Sequence, residues 1–230
     1  MIIGILGAMA SEVHAATRLL GAGTPLTSGP HEFVRTTFAG HELLIGESGI
    51  GKVNAALAAQ ALLHHGVDAI IFTGVAGGVQ PGLEPGALVF STSAVQHDVD
   101  VTALGYEPGE IPGTGRFFAA DEELLAFAQQ AAAAIGEDAH HGVVASADTF
   151  VASPERVREL HERYGAACTE MEGAAVAQAA HAWGVPFLIV RALSDSADGE
   201  AEVDFRAFTE FAADRSAKLV AAMLTRLPKN

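Results

Sequence analysis

Residues 2–12 read Ile-Ile-Gly-Ile-Leu-Gly-Ala-Met-Ala-Ser-Glu. The first six form a short apolar strand, 2–7, and a helix is predicted over 10–20. A strand with no polar alternation is one buried on both faces, as in a parallel sheet covered by helices. Glu12 arrives early and no basic stretch precedes the apolar residues, so the segment does not read as a secretory signal.

The same strand-then-helix grammar recurs outward from this segment. Residues 69–73, AIIFT, are a fully apolar strand, and residues 187–193, FLIVRAL, are another. Strands are also predicted at 87–95 and 142–147, and a hairpin at 33–38 and 41–47 around Ala39-Gly40. A helix over 51–65 places Val53, Leu57 and Ala61 on one face, with Gly66 as its C-cap. Asp121 caps a helix bearing Leu124, Leu125, Ala128 and Ile135, which Gly136 ends. Ser153-Pro154-Glu155 is a cap, a first-turn proline and an acid, and Tyr164-Gly165 closes that helix. A helix follows at about 172–183. A terminal helix opens at Asp204 and carries Phe205, Phe208, Phe211, Leu219 and Met223. The expectation is an α/β fold: one domain over residues 1–230, a three-layer α/β/α sandwich around a mixed, largely parallel sheet. Loops are expected at 79–86 and 104–116. The second is rich in glycine and proline and suits a pocket cover or a subunit crossing.

Composition narrows the function classes. The chain has 230 residues, 50% apolar and 18% charged, enough for a sizeable core. Its net charge of −15 repels phosphate backbones and anionic lipid, which argues against nucleic acid and membrane partners. A small neutral or cationic substrate suits it better. The single cysteine, Cys168, permits no intramolecular disulfide and agrees with a reducing compartment. No run approaches the roughly 18 apolar residues of a membrane span. A soluble cytoplasmic protein is expected.

Sites in open α/β sheets gather at the carboxyl ends of strands. Three segments put polar groups there: Gly7 to Glu12, Thr73 to Gly78, and Arg191 to Asp198. A fourth, Thr169-Glu170-Met171-Glu172-Gly173, places two acids where an extended stretch becomes a helix. Each acid also has a plain structural reading. Glu12 and Glu172 suit first helical turns, where the macrodipole favours an acid, and Asp195 could be a helix cap. Several carboxylates converging on one crevice point instead to acid–base chemistry. Other motifs fail on spacing. Gly4-Ile5-Leu6-Gly7 lacks the dinucleotide pattern, Gly49-Ile50-Gly51-Lys52 lacks a P-loop's, and Gly46-Glu47-Ser48-Gly49 is no nucleophile elbow. His97-Asp98-Val99-Asp100 offers metal-ligand types, but a strand would place neighbours on opposite faces. Cys168 reads as a packed small residue.

Taken together, GILGAMASEV, ESGIGKVNAA, TGVAGG, HDVDVTALGY, ASADTFV, EMEGAAVA and VRALSDSAD resemble the 5′-methylthioadenosine/S-adenosylhomocysteine nucleosidases of the purine nucleoside phosphorylase-like superfamily. The matches run in order from residue 4 to 198. The resemblance implies that Glu12 activates the attacking water, Glu172 binds the ribose hydroxyls and Asp195 protonates adenine N7. Met171 resembles the residue under the sugar, Phe150 the ring stacked on adenine, and Val151 the backbone partner of the base. Arg191 and Ser194 flank the acid–base groups, and Met9, Ile50 and Phe205 resemble contacts to the 5′ group. Val75, Ala76, Gly77 and Ala197 complete the substrate-binding set. Val101, Leu104 and Pro112 match a loop that reaches into a neighbouring subunit's pocket. Such enzymes are homodimers in methionine salvage, with no metal and no cofactor. Val75 replaces the serine of some relatives, so a hydroxyl near the sugar or water is absent; Leu104 replaces a phenylalanine of the 5′ pocket, which leaves the 5′ preference open.

The chemistry fits these residue types. Cleaving an N-glycosidic bond leaves a ribosyl cation and a purine anion, which departs once N7 is protonated. An aspartic acid with a reference pKa of about 3.9 must then hold a proton near neutrality, and burial raises a carboxyl pKa. Glu172 adds negative charge beside the developing cation. A phosphorylase needs cations where its phosphate attacks. Residues 4–20 offer only Arg18, so water is the expected nucleophile. Futalosine or aminodeoxyfutalosine hydrolysis, purine nucleoside phosphorolysis and a non-catalytic adenosine sensor are the competing readings.

Overall fold

The computed structural model describes residues 1–195, 197 and 201–229, with residues 201–207 described by their backbone alone. Ten strands form one mixed sheet. At its centre lies β5 (Ala69–Gly78), buried along its whole length. It runs parallel to β1 (Ile2–Gly7) on one side and to β10 (Phe187–Asp195) on the other. β1 continues into parallel pairing with β4 (His41–Glu47), then antiparallel β3 (His31–Phe38) and β2 (Thr24–Ser28). Beyond β10 lies antiparallel β6 (Leu88–Gln96), which pairs parallel with β8 (Ala139–Ser146) and antiparallel with β7 (Phe117–Ala119). β8 runs parallel to β9 (Ala166–Glu170).

Both faces of the sheet are covered. Ile3, Ile5, Ile71, Leu188 and Val190 pack toward α1 (Ala10–Leu20), α3 (Glu122–Ala134) and α6 (Ala201–Leu224). Leu6, Ile70, Phe72, Phe187 and Ile189 pack toward α2 (Lys52–His64) and α5 (Gly173–Trp183). The alternation of adjacent residues between two cores is why these strands are apolar without interruption. Gly4 lies on the α2 side, where an added Cβ would stand 2.6 Å from Leu62 Cδ1. That close approach seats α2 on β1. The remaining helix, α4 (Pro154–Tyr164), packs with Val95, Ala145 and Val79.

The expected three-layer sandwich is present, with several differences of detail. β5 continues five residues past Thr73, because β10 pairs alongside it from Val190 to Asp195 and satisfies its backbone groups. β2, β7 and β9 are strands that periodicity did not predict. β9 (AACTE) has small side chains and is recruited by pairing with β8 and with Gly77–Gly78. β8 starts three residues before 142, so His140 and His141 are exposed strand residues. Ile135 is the exposed C-cap residue of α3, and α6 begins at Ala201, ahead of Asp204.

The largest correction concerns α2. Its buried side is Ala55, Ala58, Ala59 and Leu62. Val53 and Leu57 face outward, 70% and 53% exposed, while Ala61 is covered. The helix is apolar nearly all round, so periodicity could not choose a face.

Candidate active site

Four segments meet at the carboxyl ends of β1, β5, β9 and β10. Glu12 belongs to the first turn of α1, and its carboxylate folds back over the exit of β1. Its Oε2 accepts hydrogen bonds from the Ala8 and Met9 N–H groups, at 2.6 and 3.0 Å. Its Oε1 accepts from the Val75 N–H of β5 at 2.9 Å. The macrodipole reading of Glu12 and the site reading are therefore compatible. Gly74, at φ +156°, leaves the space in which Glu12 and Arg191 meet, and a side chain there would collide with both.

Glu172 is the N-cap residue of α5, and its Oε1 accepts from the Gly51 N–H at 2.8 Å. Glu170, at the end of β9, accepts the Gly173 N–H on both oxygens, at 3.0 and 2.8 Å. It also accepts from the Ser146 hydroxyl and pairs with Arg191. Asp195 ends β10, with the Ser194 hydroxyl donating to one oxygen and the Ala197 N–H to the other, each at 2.7 Å. It is a strand terminus, not a cap residue of α6. An added Cβ at Gly77 would stand 2.8 Å from Asp195 Oδ1, so a glycine makes room for that carboxyl.

These groups line one cleft with about 740 Å³ of empty space, part of it open to solvent. That volume suits a small-molecule site. Of the residues singled out in the sequence, Met9, Glu12, Ile50, Val75, Ala76, Gly77, Phe150, Val151, Met171, Glu172, Ser194 and Asp195 line it. Arg191 lies behind the wall, fully buried, with its guanidinium 4.2 Å from the centre of the Phe72 ring. Ala197 is buried behind Gly77. The Phe205 side chain lies outside the described residues. Val101, Leu104 and Pro112 stand away from the cleft wall, Leu104 on an exposed turn at Thr102–Leu104. Ala8, Thr149, Thr169 and Glu170 also line the cleft and had no assigned role. Glu170 had a signal: two acids flank Met171 at the very point where strand becomes helix.

Burial sets the electrostatics. It pushes Glu12 above the usual carboxylate range, against the opposing pull of Arg191 and three backbone N–H groups. Burial first, and the negative charge of Glu170 second, push Glu172 up to about 7. Burial disfavours the Arg191 cation, but Glu170, Glu12 and Glu172 outweigh it and hold the guanidinium above its ordinary value. Cys168 is buried and pushed up to about 12, which removes it as a nucleophile.

A polar strut braces the rim. Lys52 Nζ donates to Asp98 at 2.6 Å and to Gln96 at 3.0 Å, and its N–H donates to Asp148. The Asp148 N–H returns to Asp98. The loops carrying Ile50 and Phe150 are thereby tied together. His97 turns to Arg156 instead, 2.8 Å away, and burial with that cation lowers it to about 4. His97 and Asp98 thus serve separate partners.

The model of the phosphorylase superfamily matches residues 2–225. A 5′-methylthioadenosine/S-adenosylhomocysteine nucleosidase of Actinobacillus succinogenes is 41% identical, covering 99% of this chain and 100% of its own. One of Geobacillus kaustophilus is 44% identical, covering 96% and 95%. A Helicobacter pylori nucleosidase mutant with 5′-methylthioadenosine in its active site superposes with a TM-score of 0.95 at 36% identity, covering 98% of each chain. A Helicobacter pylori futalosine hydrolase gives 0.95 at 37% identity, covering 99% and 98%. The chain belongs to the phosphorylase superfamily and, within it, to the 5′-methylthioadenosine/S-adenosylhomocysteine nucleosidase family.

Stability and ionisation oppose each other at Glu172. Its folded-state value rises from 4.5 to about 7, so its contribution to stability is full below about 4.5 and is lost as pH rises to about 7. Glu172→Gln removes this loss. The melting temperature gained over wild type should be larger at about pH 8 than at about pH 5. A gain independent of pH would contradict a raised Glu172.

Proposed function

We propose that this protein hydrolyses the N-glycosidic bond of 5′-methylthioadenosine and S-adenosylhomocysteine, releasing adenine and the 5-thio-substituted ribose for methionine salvage. One observation carries the reading: Glu12, Glu172 and Asp195 share a cleft whose described lining contains no Lys, Arg or His. Phosphate would find no cation there, whereas water finds a buried carboxylate. Asp195 donates a proton to N7 of the departing base. Glu172 accepts hydrogen bonds from the ribose hydroxyls and stabilises the oxocarbenium charge. Glu12, its proton affinity raised by burial, orients and deprotonates water. Phe150 and Val151 receive the purine, Met171 lies under the sugar, and Met9, Ile50 and Phe205 receive the 5′ substituent. Arg191 and Ser194 hold the acids in place, while Val75, Ala76, Gly77 and Ala197 shape the backbone around the sugar and base. The chemistry calls on acids alone, without metal or cofactor.

Residues 1–230 act as one nucleosidase domain, since one sheet takes strands from residue 2 through residue 195. No helix among the described residues is long and apolar enough to cross a membrane. A cytoplasmic location belongs to the same reading, as do the absence of nucleic acid and membrane partners: the chain is acidic and its one thiol is buried. Larger 5′ groups, as in futalosine-type nucleosides, are a second substrate class. Leu104, smaller than the phenylalanine of some relatives, leaves room for that option.

The reading includes a homodimer. Ile50, on the cleft wall, and Val53 and Leu57, on the α2 helix that follows it, expose 54, 70 and 53% of their surface, and Leu104 exposes 76%. A second copy covering them would bring Val101, Leu104 and Pro112 of the partner subunit toward the site.

Incubation with methylthioadenosine, S-adenosylhomocysteine and aminodeoxyfutalosine, with and without phosphate, tests the activity. Adenine release unaffected by phosphate is expected; phosphate-dependent release with the 5-substituted ribose 1-phosphate formed would overturn hydrolysis. Asp195→Asn should bind substrate yet lose ~10²–10⁴-fold in turnover, the usual worth of a general acid. A near-normal rate removes Asp195 from that role. Leu57→Arg should convert a dimer to monomers in sedimentation, and a monomeric wild type would refute the pairing.

A further inference from the structure

Three buried carboxylates of the cleft wall face one guanidinium behind it. Glu12 comes from α1, Glu170 from β9, and Glu172 from the start of α5. Their relative exposures are 2, 8 and 4%, and that of Arg191 is 0%. The four do not share contacts evenly. Arg191 pairs closely with Glu170, whereas its nearest approach to Glu172 is 4.0 Å. Glu12 is satisfied by backbone N–H groups of Ala8, Met9 and Val75. Glu170 is pinned from the far side by the Ser146 hydroxyl, which itself accepts the Ala174 N–H at 2.8 Å, and by the Gly173 N–H. An added Cβ at Gly173 would stand 3.0 Å from Glu170 Oε2, so a glycine admits the carboxylate against the helix start.

Without a fixed anion beside it, a buried cation would be drawn onto the other carboxylates within reach. Those are Glu12 and Glu172, which already accept backbone N–H groups and which the nucleosidase reading also needs as acceptors for water and ribose. We propose that Glu170 is a positioning residue: clamped by Ser146 and Gly173, its carboxylate holds Arg191 between Glu12 and Glu172 and keeps the cation from closing on either. This deepens the proposed function and rests on it. Glu170 lines the cleft, but its oxygens are engaged by Ser146, the Gly173 N–H and Arg191, so its work on substrate passes through Arg191.

Asp195 lines the same cleft and is unchanged in every variant below. Cys168 on β9 is neutral at ordinary pH, and His97, beyond β6, feels Glu170 but is lowered to about 4 and so is neutral as well. Removing the Glu170 charge therefore changes the field at Glu172, which that charge raises.

The test is the pH dependence of adenine release from methylthioadenosine. Glu170→Gln keeps an acceptor for Gly173 but loses the charge. Its acid limb of kcat/KM should move to lower pH by about one unit, the usual effect of a neighbouring like charge. Its plateau kcat should fall by about tenfold or more, with KM changed less, because Arg191 is displaced. Glu170→Asp keeps the charge and should keep the limb at the wild-type pH. An unmoved limb in Glu170→Gln overturns the proposal, whatever happens to its melting temperature. If Glu170→Gln does not fold, Ser146→Ala decides: it loosens the clamp and leaves every charge, so kcat should drop with KM held, and an unchanged kcat overturns the proposal. Wild type assayed in parallel separates the two ideas. If wild type releases no adenine, the nucleosidase reading fails; if it does and the variants behave like it, only the role of Glu170 fails.

Discussion

A guanidinium with no access to water must be matched by nearby anions, and Arg191 is matched by Glu170, Glu172 and Glu12. The site is organised around this demand. Arg191 can stand there because β10 lies beside β5, because Phe72 offers a ring face, and because Gly74 has no side chain to obstruct it. Glu170 can reach it because β9 ends against β8, where Ser146 waits. Remove the cation, and three carboxylates would lie buried in one region with only neutral hydrogen-bond donors to set against their repulsion.

The cost of this arrangement is placed where chemistry needs it. Burial raises Glu12, and burial together with the negative charge of Glu170 raises Glu172, which weakens the fold at neutral pH but leaves each carboxylate basic enough to accept a proton or a hydrogen bond. The surrounding polar groups are spent on fixing positions. Backbone N–H groups at the starts of α1 and α5 hold carboxylate oxygens, so helix termini serve as clamps as well as caps. The strut from Lys52 through Asp98 to Asp148 does the same for the rim, tying the Ile50 and Phe150 loops to each other.

Much of this was legible from residues. Uninterrupted apolar runs at 2–7, 69–73 and 187–193 marked the central strands, since only burial on both faces removes alternation. Caps at Asp121 and Ser153 placed α3 and α4, because their side chains do accept from Leu124 and Arg156. Glu12 and Asp195 were visible as acids just past apolar strands. Other features were not legible. β9 is five short residues with no periodicity of their own, and it exists because two neighbouring strands offer it partners. The two acids at 170 and 172 were visible together, but nothing local says which of them meets the distant Arg191. The outward face of α2 was misread because a helix rich in alanine and leucine on every side carries no directional signal.

The chain by itself determined the layer architecture, most element starts and stops, and the residue types able to do acid–base work, since these follow from short-range periodicity, capping chemistry and charge. Only the tertiary structure decided which carboxylates share a cavity, which one meets the cation, and which apolar helix face is left uncovered. Those outcomes depend on pairings between segments more than a hundred residues apart, such as Gly51 with Glu172 and Thr73 with Ser216. No local pattern encodes such a distance; it emerges when strands are ordered into a sheet and the burial of each side chain is settled by its neighbours.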